Sequence, residues 1–463
     1  MKINKIITKV LALTCLVNSL LVINSKTVEA EDYWPSGVDV VAESAIVMEQ
    51  ETGTILYSKN MDEVHFPASI TKIMTALIVL ENCDLDETVT FSADAVYGTE
   101  LGSSSIARDV NEEMTVEQTL YGMMLESANE CAYALGEHVA GDIPSFVDMM
   151  NEKAKELGCT NTHFNNTNGL PDDEHYTTAH DMALIARAAY AIPKFAEIAG
   201  TKNYTIPPTN KHPDPTPLNN HHQMLHYYKT NKYLYDYCLG GKTGYTVVAG
   251  ATLVTYAKKD GMTLICVVMK DTTSDEYTDT TNLFEYCFDN FNTYPVSDFA
   301  SISEDDTNVT GILSENSELI KVDENGLIVI PKTASVLDVV AEVVPYSDAN
   351  DKSVIGQLRY TYADRSVGSA NLVFTSAETG SYPFDNLPVE KGGSGKQYIQ
   401  VDYPRIALII VIIGVLVWVV LFIRSKSSKI LLVKHRFESK HAKREKKGMV
   451  IIRDNGRKRK RRR

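Results

Sequence analysis

Residues 406–423 run for 18 positions without a charge, between Arg405 and Arg424. As a helix, such a stretch is long enough to cross a bilayer with little tilt. It divides the 463-residue chain into parts that must fold in different surroundings. The C-terminal part is basic: residues 424–463 carry 18 Lys and Arg against Glu438, Glu445 and Asp454. Positive residues stay on the cytoplasmic side. At the other end, Lys2, Lys5 and Lys9 precede an apolar run over 10–23, and Val28-Glu29-Ala30 offers a small-residue cleavage site. Residues 1–30 therefore read as a secretory signal peptide. The expected topology is a cleaved signal, a large exported part, one membrane helix and a basic cytoplasmic tail.

The charge obeys the same division. The formal net charge of −15 combines +3 over residues 1–30 and +15 over the tail, so residues 31–423 carry −33. An exported part that acidic is a poor nucleic-acid binder. Behind a membrane helix, the tail reads as a stop-transfer signal that meets anionic lipid, so no nucleic-acid partner is expected. Beyond the signal lie six cysteines: Cys83, Cys131, Cys159, Cys238, Cys266 and Cys287. None forms a CxxC pair, which weakens metal and dithiol readings; scattered through a large domain, they read as small buried hydrophobes.

Residues 31–295 alternate strand and helix patterns. Strands at 45–50 and 54–58 flank Glu51-Thr52-Gly53 as a hairpin. Pro67 precedes a helical pattern over 70–80. A mostly helical stretch comes next over 115–140, with further helices at 145–157 and 178–191. After a polar, Pro-rich loop at 207–217 come strand patterns at 244–258 and 263–269, and a closing helix at 283–291. Composition shifts near Pro295: residues 296–390 carry Val- and Ile-rich strands such as 327–330 and 357–362 and read as a smaller β-rich domain. Lys391-Gly392-Gly393-Ser394-Gly395-Lys396 opens a flexible linker, 391–405, into the membrane helix.

Three short motifs in the first domain carry chemistry. Ser69 and Lys72, in Ser69-Ile70-Thr71-Lys72, are three apart and so share one face of a helix. A serine hydroxyl is a weak nucleophile and needs a base; a lysine can be that base if burial or a neighbouring cation destabilises its ammonium. Lys242 is a candidate for that cation. Ser127-Ala128-Asn129 places a hydroxyl and an amide two residues apart, one able to relay a proton and the other to hold Lys72. Lys242-Thr243-Gly244, read as the opening of a strand, offers a cation and a hydroxyl to a substrate carboxylate, with a glycine that lets the substrate backbone lie close. The N–H groups of Ser69 and Tyr245 are then the expected oxyanion hole. Ser-x-Asn alone is unspecific, since it recurs at Ser58, Ser314 and Ser369. The ordered occurrence of all three motifs, one at a helix start and one at a strand start, carries the weight, because together they supply nucleophile, base, relay and anchor.

The longer blocks sharpen this. Pro67-Ala68-Ser69-Ile70-Thr71-Lys72-Ile73-Met74-Thr75-Ala76 resembles the nucleophile block of the D-alanyl-D-alanine carboxypeptidase family, the low-molecular-mass penicillin-binding proteins of peptidase family S11. Phe164-Asn165-Asn166-Thr167-Asn168-Gly169-Leu170-Pro171-Asp172 and Thr178-Ala179-His180-Asp181-Met182-Ala183 resemble its middle blocks, and Lys242-Thr243-Gly244-Tyr245-Thr246 with Ala249-Gly250 its third. The resemblance covers roughly residues 40–290. It implies an α+β, penicillin-binding and serine β-lactamase-like transpeptidase domain, an antiparallel sheet flanked by helices plus a helical subdomain, with the β-rich domain and membrane helix behind it. It further implies Ser69 as acyl-enzyme nucleophile, Lys72 as proton acceptor, Ser127 as second active serine and Lys242 as carboxylate binder. Peptidoglycan stem peptides would be the substrates and β-lactams the inhibitors, with no cofactor and no metal. Two departures stand out: the family commonly has Ser-Gly-Asn-Asp where this chain has Ser127-Ala128-Asn129-Glu130, and many relatives use a surface-lying helix where this chain is expected to span.

Alternatives remain at this point: a serine β-lactamase, a transpeptidase or endopeptidase, and a non-catalytic wall-binding protein working through the β-rich domain. His212, His221, His222 and His226 fit no ligand spacing and read as a loop near the cleft rim; His175 and His180 read as structural. Tyr227, Tyr228, Tyr233, Tyr235 and Tyr237 read as a packed face rather than a ligand platform.

Overall fold

The structure is a computed structural model that describes residues 34–100, 102–298, 320–323, 325–344 and 354–374. The expected signal peptide, linker, membrane helix and basic tail lie outside these residues. Among the described residues no helix is long and apolar enough to cross a membrane.

The chain opens with a hairpin, β1 (Ser44–Glu49) and β2 (Ile55–Lys59), and then a 3-10 turn (Ala68–Thr71) that runs into α1 (Lys72–Asn82). A helical subdomain comes next: β3 (Thr88–Thr90), α2 (Ala93–Tyr97), β4 (Glu113–Thr115), α3 (Val116–Leu125), α4 (Asn129–Ala140) and α5 (Ile143–Glu156). Beyond it lie α6 (Ala179–Tyr190), α7 (Pro193–Gly200) and a small ribbon, β5 (Asn203–Ile206) with β6 (Thr216–Asn219). The chain then returns to the main sheet as β7 (Cys238–Thr246), β8 (Gly250–Lys259) and β9 (Met262–Asp271), covered by α8 (Asp275–Asn290).

That sheet is antiparallel, in the order β2-β1-β9-β8-β7. Successive side chains of a strand face opposite sides, and both sides are buried here. Ile46, Met48, Val254, Tyr256, Ile265 and Val267 join the core shared with the helical subdomain. Ala45, Val47, Leu253, Ala257, Leu264 and Cys266 join a second core under α8. Helix starts are locally specified: Thr115 and Gln118 form a capping box on α3, and Thr178 accepts from Asp181 N–H at the start of α6.

A second sheet comprises β10 (Phe291–Pro295), β11 (Ile320–Val322), β12 (Leu327–Pro331), β13 (Val340–Val344), β14 (Val354–Tyr362) and β15 (Arg365–Phe374). Its order is β10-β12-β15-β14-β13, with β11 also paired to β15. Val296, Ile328, Ile330, Leu358, Tyr360 and Val367 form its core.

Two expectations need correction. The domain boundary placed at Pro295 comes one strand late, because residues 291–295 pair with β12 and belong to the second sheet. The mostly helical stretch over 115–140 is borne out as two helices, parted at Ser127, whose φ of +60° no helix can pass through. The single strand read over 244–258 is a hairpin. Its turn falls between Thr246 and Gly250, and Lys242 sits mid-strand in β7 rather than at a strand start.

Candidate active site

The edge strand β7 runs beside the 3-10 turn, and the cleft between them holds all three motifs. Pro67 leads into the turn, and Thr252 Oγ1 on β8 donates to its carbonyl at 2.8 Å. Ala68 takes φ +51°, a conformation that costs an L-residue energy and that turns the chain sharply before Ser69. Two glycines make the fit possible. A Cβ on Gly169, itself at φ +89°, would overlap the Ala68 carbonyl, and one on Gly244 would lie 2.8 Å from Ser69 N. Strand β7 therefore comes to within contact of the nucleophile's own backbone.

Lys72 is fully buried at the start of α1. Its Nζ lies 3.1 Å from Ser69 Oγ, 2.7 Å from Asn129 Oδ1 and 2.7 Å from the Asn168 carbonyl. Asn129 and Asn168 offer two acceptors. An uncharged amine has two N–H groups and one lone pair, so donating to both acceptors leaves its lone pair for the Ser69 hydroxyl. Burial holds Lys72 well below the usual lysine range, and the nearby Lys242 cation lowers it further, against an opposing pull from Glu130. Of the two causes open from the sequence, desolvation is the larger.

Ser127 and Asn129 flank the break between α3 and α4 and are nearly fully buried. The Asn129 N–H donates to Ser104 O at 2.9 Å. Glu130, the residue that departs from the family pattern, accepts on Oε1 from Ser105 Oγ and Ile106 N, both at 2.7 Å. It thereby ties the 104–106 loop to the second motif. Ser127 Oγ meets Lys242 Nζ at 3.2 Å, so its bond in this structure is to the third motif rather than to Lys72.

Lys242 is buried on β7, held by Ser127 Oγ and by the Thr243 carbonyl at 2.8 Å, neither of which is charged. Burial pushes it down to about 7. An anion arriving beside it would supply the countercharge it lacks. Tyr245 comes later on the same strand with its ring exposed. Behind β7, His222 is buried against Thr255 Oγ1 at 3.0 Å, and burial pushes it down to about 3.

The tempting histidines and tyrosines have other occupations. His175 Nδ1 accepts from Asn165 N–H and Nε2 bonds Thr71 Oγ1 at 2.9 Å, so the ring is a neutral strut behind the nucleophile's turn. His180 sits near the surface against Asp62. His212 pairs with Glu112, His221 with Glu126, and His226 bonds Asn220 O. Tyr233 packs on Tyr277 and Tyr235 on Phe284, whereas Tyr227 is exposed. The six cysteines are free thiols. The structural reading of His175 holds, with the ring as a strut. Sequence reasoning did not assign Asn168, which acts through its backbone carbonyl, and its only signal was membership of the block over 164–172.

A family model described as D-alanyl-D-alanine carboxypeptidase matches residues 25–273. Among curated relatives, D-alanyl-D-alanine carboxypeptidase DacF of Bacillus subtilis is 36% identical over 261 residues, 55% of this chain and 64% of that protein. This chain thus spans just under two thirds of that relative's length. D-alanyl-D-alanine carboxypeptidase DacA of Haemophilus influenzae is 28% identical over 381 residues, 77% of this chain and 90% of that protein. Among solved structures, penicillin binding protein 5 from Haemophilus influenzae matches with TM-score 0.57 at 26% identity, covering 74% of this chain and 98% of that one. The Streptomyces K15 DD-transpeptidase matches with TM-score 0.51 at 31% identity, covering 55% and 100%. The fold is that of the penicillin-binding proteins and serine β-lactamases, and the chain belongs to the D-alanyl-D-alanine carboxypeptidase family.

Proposed function

We propose that this chain is a serine D-alanyl-D-alanine carboxypeptidase. It removes the terminal D-alanine from peptidoglycan pentapeptide stems through an acyl-enzyme on Ser69, and penicillins acylate the same serine. The observation that carries this reading is the buried Lys72 amine, with an acceptor for each of its N–H groups and Ser69 Oγ at its third side.

That arrangement sets the order of steps. Lys72 Nζ takes the Ser69 proton as Oγ attacks the carbonyl carbon of the penultimate D-alanine. The N–H groups of Ser69 and Tyr245 hold the oxyanion, each worth about 3 kcal/mol in comparable sites. Protonated Lys242 and the Thr243 hydroxyl hold the terminal carboxylate. The proton passes to the leaving D-alanine nitrogen through Ser127 Oγ, which stands against Lys242 in the free enzyme. Water then hydrolyses the ester, with Lys72 again receiving the proton. D-alanine release from a synthetic pentapeptide tests the reading. Ser69→Ala is expected to abolish release; unchanged release would remove Ser69 from the mechanism. Fast turnover of a chromogenic cephalosporin, in place of stoichiometric and long-lived labelling, would favour a β-lactamase instead.

The reading places the enzyme outside the cell. Residues 1–30 direct export, 406–423 anchor the chain, and the tail of 424–463 stays in the cytoplasm against anionic lipid. In sequence order, the β-rich domain and the linker over 391–405 come between the catalytic domain and the anchor. Protease added to intact spheroplasts is expected to remove the catalytic domain and spare a tail epitope. Loss of the tail epitope with the catalytic domain protected would reverse the topology.

A further inference from the structure

Helices α1 and α4 both start in the cleft, at Lys72 and Asn129, and their far ends meet a second cluster that the chemistry above does not use. Cys83 caps the C-terminus of α1, His138 lies in the last turn of α4, and Glu87 immediately precedes β3. Each of the three side chains brings a ligand atom within 4.8 Å of the other two. His138 Nε2 lies 3.0 Å from Glu87 Oε2. The other carboxylate oxygen, Oε1, accepts from Asp84 N–H at 2.6 Å, and the Glu87 carbonyl accepts from Val116 N–H at 2.9 Å. Glu87 is thus fixed by its backbone and by one oxygen, with the second oxygen turned to the histidine.

We propose that Cys83, Glu87 and His138 form a binding site for a zinc-class divalent metal, a site separate from the serine machinery. A thiolate, an imidazole and a carboxylate are the donor types zinc takes, and water can fill the fourth position because Glu87 and His138 are partly exposed. Bonds of about 2.0–2.3 Å in a tetrahedron set ligands roughly 3.3–3.8 Å apart, a spacing these atoms reach with little movement. On binding, the Cys83 S–H bond breaks, its proton goes to solvent and the sulfur's electron pair forms the bond to the metal, with no change of oxidation state. The donors come from two segments, the connection holding Cys83 and Glu87 and the end of α4, and His138 is 51 residues from Glu87. No short motif therefore marks the site, and the absence of a CxxC does not bear on it. At 1.5 Å per residue along α1, the metal would sit roughly 15 Å from the Lys72 backbone. It would act as a staple: α1 and α4 pack together, and tying their far ends holds the helices whose first residues meet in the bond from Lys72 to Asn129.

Cobalt titration of the full-length protein, reduced and in detergent, tests this. About one equivalent is expected to bind with a sulfur-to-cobalt charge-transfer band and tetrahedral visible bands. Cys83→Ser is expected to lose the charge-transfer band, and His138→Gln to bind on the order of tenfold or more weakly. Zinc is expected to raise the melting temperature of the unaltered protein and not that of Cys83→Ser. No thiolate band in the unaltered protein, or a band that survives Cys83→Ser, overturns the proposal. If circular dichroism shows that those variants fail to fold, Glu87→Gln decides: weaker cobalt binding supports the site, and unchanged affinity overturns it.

Discussion

In the C-terminal sheet the inward positions include Ile328, Ile330, Leu358, Tyr360 and Val367, whereas in the cleft of the first lobe they include Lys72, Asn129 and Lys242. The two regions also use left-handed backbone differently. In the C-terminal sheet Ala363 and Asp364, at φ +49° and +59°, form the two-residue turn between β14 and β15, a geometry that matches the twist of a hairpin. In the cleft, Ala68 and Ser127 adopt φ +51° and +60° where no hairpin asks for it. Their conformations bring Ser69 up to Lys72 and Ser127 up to Lys242. At this turn, one region follows the rules of folding. The other departs from them at the positions that chemistry needs, and the surrounding core holds it in place.

The sharpest way to break this contrast is to replace the buried amine. Lys72→Met should slow acylation of Ser69 by labelled penicillin about 10²–10⁴-fold, the usual worth of a positioned base. Its melting temperature should move little, because relief of a desolvated amine offsets the loss of its hydrogen bonds. A variant that acylates at the normal rate would show that Lys72 is a structural residue, and the cleft would then differ from the second sheet only in composition.

The converse change belongs to the second sheet. Ile330 is fully buried on β12. Ile330→Ala should cost about 2–5 kcal/mol, read from chemical denaturation of that lobe. Penicillin acylation should stay within about twofold, since distant sites act independently. A matching fall in acylation would mean that the second sheet supports the cleft, and the two regions could not be treated apart.

Glu130 offers a finer cut. Shortening it with Glu130→Asp restores the residue the family commonly carries but withdraws the carboxylate from Ser105 Oγ and Ile106 N. The expected loss is about 1–3 kcal/mol of local stability, seen as faster amide exchange over 104–106, with acylation slowed less than about tenfold. Unchanged exchange would show that the loop is held by the Asn129 N–H bond to Ser104 O instead.

What the sequence made legible divides along the same line. The spacing of Ser69 and Lys72 was readable because three residues along a helix return a side chain to the same face. The central strands were readable as short runs rich in apolar and β-branched residues because both faces of the sheet are buried, Ile46 and Met48 on one side and Ala45 and Val47 on the other. The hairpin of β7 and β8 was missed because Val247 and Val248 are apolar residues in a turn, largely exposed, and Gly240 and Gly241 look like a break where the strand in fact continues. The boundary at Pro295 slipped because Phe291 shares its core with Leu283 and Phe284 of α8, so an apolar helical pattern runs unbroken into a strand. The Asn168 carbonyl was invisible for a simpler reason: a backbone oxygen has no residue identity, and only the fold determines which one faces Lys72.

Acid gives the gentlest test. His175 and His222 back the two walls of the cleft, one behind Thr71 and one behind β7, and burial pushes each down to about 3. Residues 291–374 contain no histidine. Above about pH 6.5 each ring is neutral in both folded and unfolded chains and gives no pH dependence. Below that, the unfolded chain takes up protons that the folded chain refuses until about pH 3. The first lobe should therefore lose stability between those limits, by up to about 1.4 kcal/mol per pH unit for each histidine. Urea melts recorded at successive pH values should show the first lobe's midpoint falling across this window, and His222→Gln should flatten the slope without moving the second sheet's transition. Equal acid sensitivity in both transitions would take the histidines out of the account and leave the carboxylates of the acidic chain as the cause.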